Sequence, residues 1–229
     1  MKLLLTNDDG IDAEGLQALF EAARQLGEPW LIAPAGHQSG CSHTVTTDRG
    51  VRVEPRGERR IAIHGTPADC VRLGLHRILP DAAWILSGIN HGGNLGADVY
   101  YSGTVAAVRE GVLHGWPGIA LSHYRHKGRE FNWRRAARLI LPILRDLLVQ
   151  PPERGAFWNI NLPHLTDDEP DPEMVDCPLD PTPLPLSFRH SEEELLHYDG
   201  DYFSRQRMPG CDVDNCFGGK IAVTKLKLL

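Results

Sequence analysis

Short apolar runs alternate with segments of helical periodicity over the first two thirds of the chain. Residues 2–6 form an apolar run typical of a buried strand, and apolar side chains then recur at helical spacing from Leu16 to Leu26. A second apolar run follows at residues 30–34. Because consecutive strand, helix and strand form a βαβ unit, we expect these two strands to be parallel.

Residues at the edges of the helical segments predict where the helices begin and end. Asp12 is a candidate N-cap for the first helix, and Gly27 a candidate stop. In the second helix, Thr66 is the expected N-cap, Pro67 the first helical residue and Asp69 the returning acid of a capping box. We expect that helix to run to about residue 78.

The alternation continues to the end of the chain. Further helices are predicted at 104–114 and 133–149, and further strands at 84–86, 118–121, 157–161 and 220–224. Residues 36–64 are glycine-rich with short alternating runs at 44–47, 51–53 and 61–63, which predict a β-hairpin excursion from the main sheet. The whole pattern predicts an α/β fold, three-layered and Rossmann-like, with a mainly parallel, doubly wound sheet.

The length of 229 residues suits one large α/β domain. We assign residues 1–162 to a Rossmann-like core, which includes the excursion at 36–64. Residues 163–185 are rich in Pro, Asp and Glu without usable periodicity, so we assign 163–229 to an extended arm followed by a final strand.

Composition excludes several classes of partner. A net charge of −6 argues against a nucleic acid polymer, and no apolar run approaches the ~20 residues of a membrane span. The five cysteines are scattered and odd in number, which favours reduced thiols in a cytoplasmic protein. A small phosphorylated substrate remains compatible with the acidic balance, because a bound metal ion can supply positive charge locally.

An acidic pair, Asp8 and Asp9, directly follows the first strand, between Asn7 and Gly10. In a doubly wound sheet, ligands bind outside the carboxyl ends of the strands. The segment can be read as a capped turn, but adjacent carboxylates also suit a hard divalent cation, which offsets their repulsion. Spacing alone leaves both interpretations open.

Other polar loops follow later strands at the same predicted edge. Ser39 follows the second strand and Asn90 a later one, and both are neutral oxygen donors that could complete an octahedral shell. Residues 101–104 open a helix, whose N-terminus suits either a phosphate or a plain Ser/Thr cap. Each signal is weak alone, and their shared edge is what favours a site.

Five ordered segments resemble the motifs of the survival protein SurE family, which are metal-dependent 5′-nucleotidases also described as acid phosphatases. They are TNDDG at 6–10, QSG at 38–40, GTPADCV at 65–71, SGINHGGN at 87–94 and YSGTV at 101–105. The resemblance implies one divalent cation per subunit, Mg²⁺ or Mn²⁺, bound by Asp8, Asp9, Ser39 and Asn90. It also implies a phosphate pocket formed by Gly40, Asn94, Ser102, Gly103 and Thr104.

The same resemblance implies substrates and assembly. We expect hydrolysis of nucleoside 5′- and 3′-monophosphates or other small phosphate esters, with short polyphosphate as a second activity. We also expect a homodimer or homotetramer in which the C-terminal arm reaches over a neighbouring subunit.

For catalysis, we expect Asp8 to orient or deprotonate the attacking water and Asp9 to act mainly as a ligand. His43 and His91 lie in the relevant loops and are candidates to protonate the leaving alkoxide, although a histidine in such a loop is more often a surface residue.

Three other readings compete with this one. A non-catalytic, metal-dependent nucleotide-binding protein would use the same sheet edge without turnover. A receiver domain would need a phosphorylatable Asp at the strand end where this chain has Ser87 and Asn90. A phosphatase that forms an aspartyl-phosphate intermediate requires Asp-x-Asp, whereas this chain has Asn7-Asp8-Asp9. An assay for phosphate release separates the enzyme from the binder.

Overall fold

The computed structural model describes residues 1–126, 128–191 and 195–228. Its strands are β1 (Lys2–Thr6), β2 (Glu28–Pro34), β3 (Val53–Gly57), β4 (Arg60–Ile63), β5 (Trp84–His91), β6 (Gly118–His123), β7 (Ala156–Leu162), β8 (Met174–Asp176), β9 (Phe188–His190), β10 (Leu196–Tyr198) and β11 (Ile221–Lys227). Its α-helices are α1 (Glu14–Ala23), α2 (Pro67–Leu73), α3 (Gly103–Leu113), α4 (Trp133–Leu147) and α5 (Asp212–Phe217). A π-helical turn, Gly74–Ile78, extends α2, and a 3-10 helix, Gly96–Tyr100, precedes α3.

Nine strands form the main sheet in the order β3-β4-β2-β1-β5-β6-β7-β11-β8. Six of them, from β4 to β7 in that order, pair in parallel. Strand β11 runs antiparallel to β7, and β3 antiparallel to β4. The predicted α/β fold with a mainly parallel sheet is therefore confirmed.

Helices cover both faces of the sheet. Leu3 and Leu5 of β1 pack into one apolar cluster with residues of α1 and α4, such as Ile140. Leu4, between them, packs into a second cluster with residues of α2 and α3, such as Val108. Successive side chains of a strand point to opposite faces, so one apolar strand is buried on both sides and the fold has three layers.

The helix ends agree only in part with the predictions. Thr66 caps α2, and its hydroxyl and the Asp69 carboxylate form the expected capping box. The N-cap prediction for Asp12 is wrong: Ala13 occupies that position, and the Asp12 carboxylate instead pairs with Arg60 and Arg56 at 2.5 and 3.0 Å. The two arginines of the neighbouring hairpin bind one carboxylate oxygen each, so the Asp12 side chain pairs with them and does not cap the helix. Helix α1 also ends at Ala23, before the predicted stop.

The hairpin predicted within residues 36–64 is present as β3 and β4, but both strands extend the main sheet instead of leaving it, with β4 parallel to β2. The strand predicted at 44–47 is wrong, since this segment has no ladder partner. Thr46 instead donates its backbone N–H and its hydroxyl to the Asp69 carboxylate at 2.9 and 2.7 Å. A side-chain acceptor on α2 thus replaces the expected strand partner.

The C-terminal part of the chain returns to the sheet. Strand β11 lies between β7 and β8, while β9 and β10 form a separate two-stranded hairpin with exposed apolar side chains. The division at residue 162 stays a prediction. Among the described residues, no helix is long and apolar enough to cross a membrane.

Candidate functional site

The turn after β1 is fixed by Asn7, a fully buried residue. Its side-chain nitrogen donates to the Gly10 carbonyl at 2.9 Å, and the Gly10 N–H donates back to Asn7 Oδ1 at 3.2 Å. Gly10 has a φ of 106°, a conformation that favours glycine. Asn7 and Gly10 therefore hold the acidic pair in a defined turn at the carboxyl edge of the sheet.

Asp8 lies against the start of α3. Its residue exposure is 4%, and the Thr104 hydroxyl donates to Asp8 Oδ1 at 2.5 Å. An added Cβ at Gly103 would lie 3.0 Å from both Cβ and Oδ2 of Asp8, so only glycine leaves room for the carboxylate there. Burial raises the pKa of the Asp8 carboxyl, Asp9 raises it further, and the Thr104 hydrogen bond opposes both effects.

Asp9 connects the first loop to the end of β5. The backbone N–H of His91 donates to Asp9 Oδ2 at 3.1 Å, which places Asp9 beside Asn90 along the chain. His37 Nδ1 lies 3.9 Å from Asp9 Oδ1. Within the ranges that the structure describes, no lysine or arginine pairs with either carboxylate of the acidic pair.

The loop after β2 approaches the same place. The Gln38 N–H donates to the Asp8 carbonyl at 2.7 Å, and Ser42 donates its hydroxyl to the Tyr100 carbonyl at 3.0 Å, just before α3. Ser39 and Gly40 lie on this loop and are exposed. The loop therefore bridges the acidic turn and the helix start.

The last residues of β5 and the loop after it are shaped by close backbone contacts. Gly88 has a φ of 137°, and an added Cβ would lie 2.1 Å from the Leu121 carbonyl oxygen. The Asn90 side-chain nitrogen donates to the Gly92 carbonyl at 2.9 Å. This bond orients the Asn90 side-chain amide. The amide oxygen, Oδ1, is the atom that could bind a cation.

Asn94, at the end of that loop, is buried and tied to the strands behind it. Its backbone N–H donates to Asn161 Oδ1 at 2.8 Å, and its side-chain nitrogen donates to Ser122 Oγ at 2.7 Å. Its carbonyl accepts from the side chains of Asn159 and Asn161. The two asparagines of β7 thus support the candidate phosphate loop, a role that the sequence analysis missed because both lie inside an apolar strand pattern.

Helix α3 begins at the same edge. Ser102 is its N-cap, and its hydroxyl accepts a hydrogen bond from the Val105 N–H at 3.0 Å. Ser102, Gly103 and Thr104 are all buried. The side chains of Ser102 and Thr104 thus have internal partners, and the backbone N–H groups of this helix start are the donors suited to an anion.

The two histidines considered as acids have other neighbours. His43 Nε2 lies 2.9 Å from Glu110 Oε2, on the third turn of α3, while the His91 ring stacks on Trp133 with centroids 4.7 Å apart. Glu110 also pairs with His114 at 3.1 Å and with Arg72 at 3.5 Å. The sequence analysis overlooked Glu110, whose signal is a lone acid among the small apolar residues of a helix. A role for either histidine in catalysis stays a prediction.

The donor set at the sheet edge suits a hard cation. Two carboxylates follow β1, the adjoining segments carry a serine hydroxyl and an asparagine amide, and Gly103 provides a space that any Cβ would fill. Across the described part of the chain, no group of three or more His, Cys, Asp or Glu side chains is arranged to hold a metal, so any further ligands of the acidic pair would be neutral oxygens. The acidic pair therefore fits Mg²⁺ or Mn²⁺ with neutral oxygens as the remaining ligands.

Comparison with known proteins identifies the family of this chain. The family model described as survival protein SurE matches residues 3–177. A putative 5′-nucleotidase from Nostoc is 49% identical over 229 residues, covering all of both chains. The 5′-nucleotidase SurE of Myxococcus xanthus is 43% identical over 170 residues, which is 73% of this chain and 64% of that protein.

A solved structure extends the likeness to the fold. The crystal structure of the SurE protein from Aquifex aeolicus matches with a TM-score of 0.88 and 29% identity, over 100% of this chain and 94% of that one. The family model and the full-length relative cover the acidic turn, both glycine-rich loops and the start of α3. The chain therefore belongs to the survival protein SurE family.

Proposed function

We infer that this chain is a 5′-nucleotidase, which hydrolyses nucleoside 5′-monophosphates to nucleoside and phosphate with the help of a divalent cation. The observation that carries this inference is the contact between Asp8 and Thr104, because it joins the acidic turn to the helix start where a phosphate would bind. The relatives described as 5′-nucleotidases support the same activity.

Asp8, Asp9, Ser39 and Asn90 would hold one cation, either Mg²⁺ or Mn²⁺. Among the described residues, no lysine or arginine pairs with the acidic pair. Two adjacent carboxylates repel each other, so a bound cation would offset a repulsion that none of these basic side chains offsets. A cation bound there supplies Lewis acidity and lowers the pKa of a bound water.

Gly40, Asn94, Ser102, Gly103 and Thr104 would surround the phosphate. Backbone N–H groups at the start of α3 and the positive end of the helix dipole suit its charge. The Asn94 side-chain nitrogen donates one hydrogen to Ser122, and its second hydrogen remains suited to a phosphate oxygen.

Asp8 would accept the proton of the attacking water. The His91 N–H would keep the Asp9 carboxylate in place by donating to it. The helix start then stabilises the charge that shifts onto the phosphate oxygens during transfer. His43 and His91 are the candidate acids for the leaving alkoxide. The bond of His43 to Glu110 directs its ring toward α3, which favours His91 of the two.

The finer expectations belong to the same proposal. Nucleoside 3′-monophosphates and short polyphosphate share the phosphoryl group that this site would bind, so we include them as further substrates. Exposed apolar side chains on the β9–β10 hairpin, such as Phe188, support a homodimer or homotetramer. The five cysteines, all free thiols, support a cytoplasmic location.

Release of phosphate from AMP tests this function. We expect turnover with Mg²⁺ or Mn²⁺, loss of turnover with EDTA, and a fall in kcat of at least ~100-fold in Asp8→Asn. Asp12→Asn is the matched control, because it changes a mostly exposed acid of the same turn. Tight AMP binding without any turnover would instead identify a nucleotide-binding protein.

A further inference from the structure

A pocket of about 440 Å³ opens beside the glycine-rich loop that follows β5. This volume is within the usual range of small-molecule sites, roughly 300–1,000 Å³. Its walls include Gly92, Gly93, Tyr124, Arg125, Tyr202 and Phe203. None of the described lining residues is a carboxylate. No part of the proposed cation or phosphate site accounts for this pocket.

The strand order gives the distance between the pocket and the acidic pair. Tyr124 and Arg125 directly follow β6, and β6 is the second strand from β1, with β5 between them. Neighbouring strands are about 4.8 Å apart, so the end of β6 lies on the order of 10 Å from the end of β1. That separation matches the span from phosphate to base in a nucleoside monophosphate.

The pocket wall is continuous with the proposed cation site. Gly92 donates its N–H to the Asn90 carbonyl at 3.0 Å, and the Asn90 side chain donates to the Gly92 carbonyl. A ligand whose phosphate lies at the acidic pair would therefore pass the two glycines to enter the pocket. Glycines at this point leave room for a ligand to pass close to the backbone.

The lining offers flat surfaces for stacking. Tyr124 is held from behind by Phe217, with ring centroids 4.5 Å apart, whereas the Phe203 side chain is 42% exposed. The Arg125 guanidinium lies near the Phe131 ring, 5.8 Å from its centroid. Aromatic rings and a guanidinium are the groups on which nucleobases stack, with little dependence on base identity.

Phe203 comes from the C-terminal arm, and a buried contact anchors it. The neighbouring Tyr202 donates its hydroxyl to Asp98 Oδ2 at 2.6 Å, and Arg205, fully buried, pairs with the same oxygen at 3.1 Å. Asp98 belongs to the 3-10 helix that leads into α3. The arm is thus fastened to the element that carries the proposed phosphate site.

We propose that this pocket, between Gly92–Gly93 and the rings of Tyr124 and Phe203, is the nucleobase subsite of the enzyme, with Phe203 as the stacking residue supplied by the arm. The proposal rests on the 5′-nucleotidase function above and adds how the nucleoside is recognised. Stacking without hydrogen-bond readout predicts broad acceptance of bases and a preference for nucleotides over sugar phosphates.

The test compares AMP with ribose 5-phosphate, which keeps the phosphate and the sugar but lacks the base. Phe203→Ala is expected to reduce the ratio of kcat/KM for AMP to that for ribose 5-phosphate by about tenfold, mainly through KM. Phe203→Trp retains a stacking surface and should restore the ratio. Leu113→Ala, which removes an exposed apolar side chain at the far end of α3 and outside the pocket lining, is the control and should leave the ratio unchanged.

An unchanged ratio in Phe203→Ala would overturn the subsite while leaving the phosphatase intact. If the wild-type chain hydrolyses neither compound, the proposed function fails, and calorimetric titration with adenosine then decides on the subsite alone. Adenosine binding to Phe203→Ala about tenfold weaker than to the wild-type chain supports the nucleobase subsite. Equal affinity of the two proteins, or no adenosine binding by the wild-type chain, rejects the subsite.

Discussion

The hydroxyl of Thr104 donates to Oδ1 of Asp8 across 2.5 Å, joining the first turn of α3 to the end of β1. This bond orients a buried carboxylate that we place at the centre of catalysis. Thr104→Val keeps the shape of the side chain and removes the donor. We expect kcat for AMP to fall about 10- to 100-fold, since hydrogen bonds to charged groups contribute about 1.5–3 kcal/mol.

Thr104→Ser serves as the comparison, because it keeps the hydroxyl and should remain within a few-fold of the wild-type rate. Steady-state kinetics of phosphate release measures both variants. Equal rates for the serine and valine variants would show that the hydroxyl does not orient Asp8.

Gly103→Ala tests the space beside the acidic pair. The added Cβ would lie 3.0 Å from Asp8 Oδ2 and 3.2 Å from Cys41 Sγ, so the carboxylate must shift. Alanine also favours a helix over glycine, so stability should not fall by more than about 1 kcal/mol. We therefore expect activity to drop at least tenfold while the urea midpoint changes little.

The control for this change is Gly50→Ala, a glycine with nothing within 4 Å of the added Cβ. It should leave both activity and the unfolding midpoint close to the wild-type values. A fully active Gly103→Ala variant would contradict the crowded geometry described for Asp8.

Glu110 should contribute to stability through its three basic neighbours. Its hydrogen bond to His43, the largest cause, lowers the pKa of its carboxyl. A lowered folded-state pKa stabilises the protein above the unfolded value, near 4.5, and this contribution is lost as pH falls through the folded value. Glu110→Gln should therefore cost about 1–3 kcal/mol at pH 7.

Urea unfolding of Glu110→Gln and the wild-type chain at pH 7 and pH 3.5 checks this prediction. The difference between the two proteins should narrow at the lower pH. Glu21→Gln, which alters a largely exposed acid paired with Arg24, should show a smaller difference at both values.

His123 should make the stability of the fold depend on pH in a second way. Burial lowers the pKa of its ring to about 4, against an ordinary value of 6.5. Between those values the unfolded chain binds a proton that the folded chain does not, so this contribution to stability is complete above pH 6.5 and falls as pH drops toward 4.

Between pH 7 and 5 the loss from His123 amounts to about 2 kcal/mol. His123→Phe, which cannot titrate, should lose that much less stability over the same interval, as measured by urea unfolding. An NMR titration placing the wild-type ring pKa near 6.5 would contradict the assignment.

The position of the candidate site could be predicted because parallel strands end at one edge of the sheet. Asp8 and Ser39 follow β1 and β2, Asn90 is the last residue but one of β5, and the carboxyl ends of parallel strands meet at one edge. The contacts within that edge were beyond sequence reasoning. The bond between Tyr202 and Asp98 joins residues far apart along the chain, and no local pattern marks either as a partner.

Local signals failed where a distant group offered a competing bond. Asp12 has the residue type and the position of an N-cap, but Arg60 and Arg56 take its carboxylate. Residues 44–47 have the alternation of a strand, but Thr46 bonds to Asp69. The capping box of α2 was predictable because Thr66 and Asp69 complete it within one turn.

The position of β11 between β7 and β8 has a consequence for synthesis. Trp158 of β7 meets Lys225 of β11 in register, with the ammonium 5.7 Å from the ring centroid. Strand β7 leaves the ribosome well before this neighbour does, and at ~5–20 residues per second the delay lasts several seconds. Throughout that time an apolar strand has an unpaired edge, so the nascent chain is open to mispairing at β7 until β11 arrives.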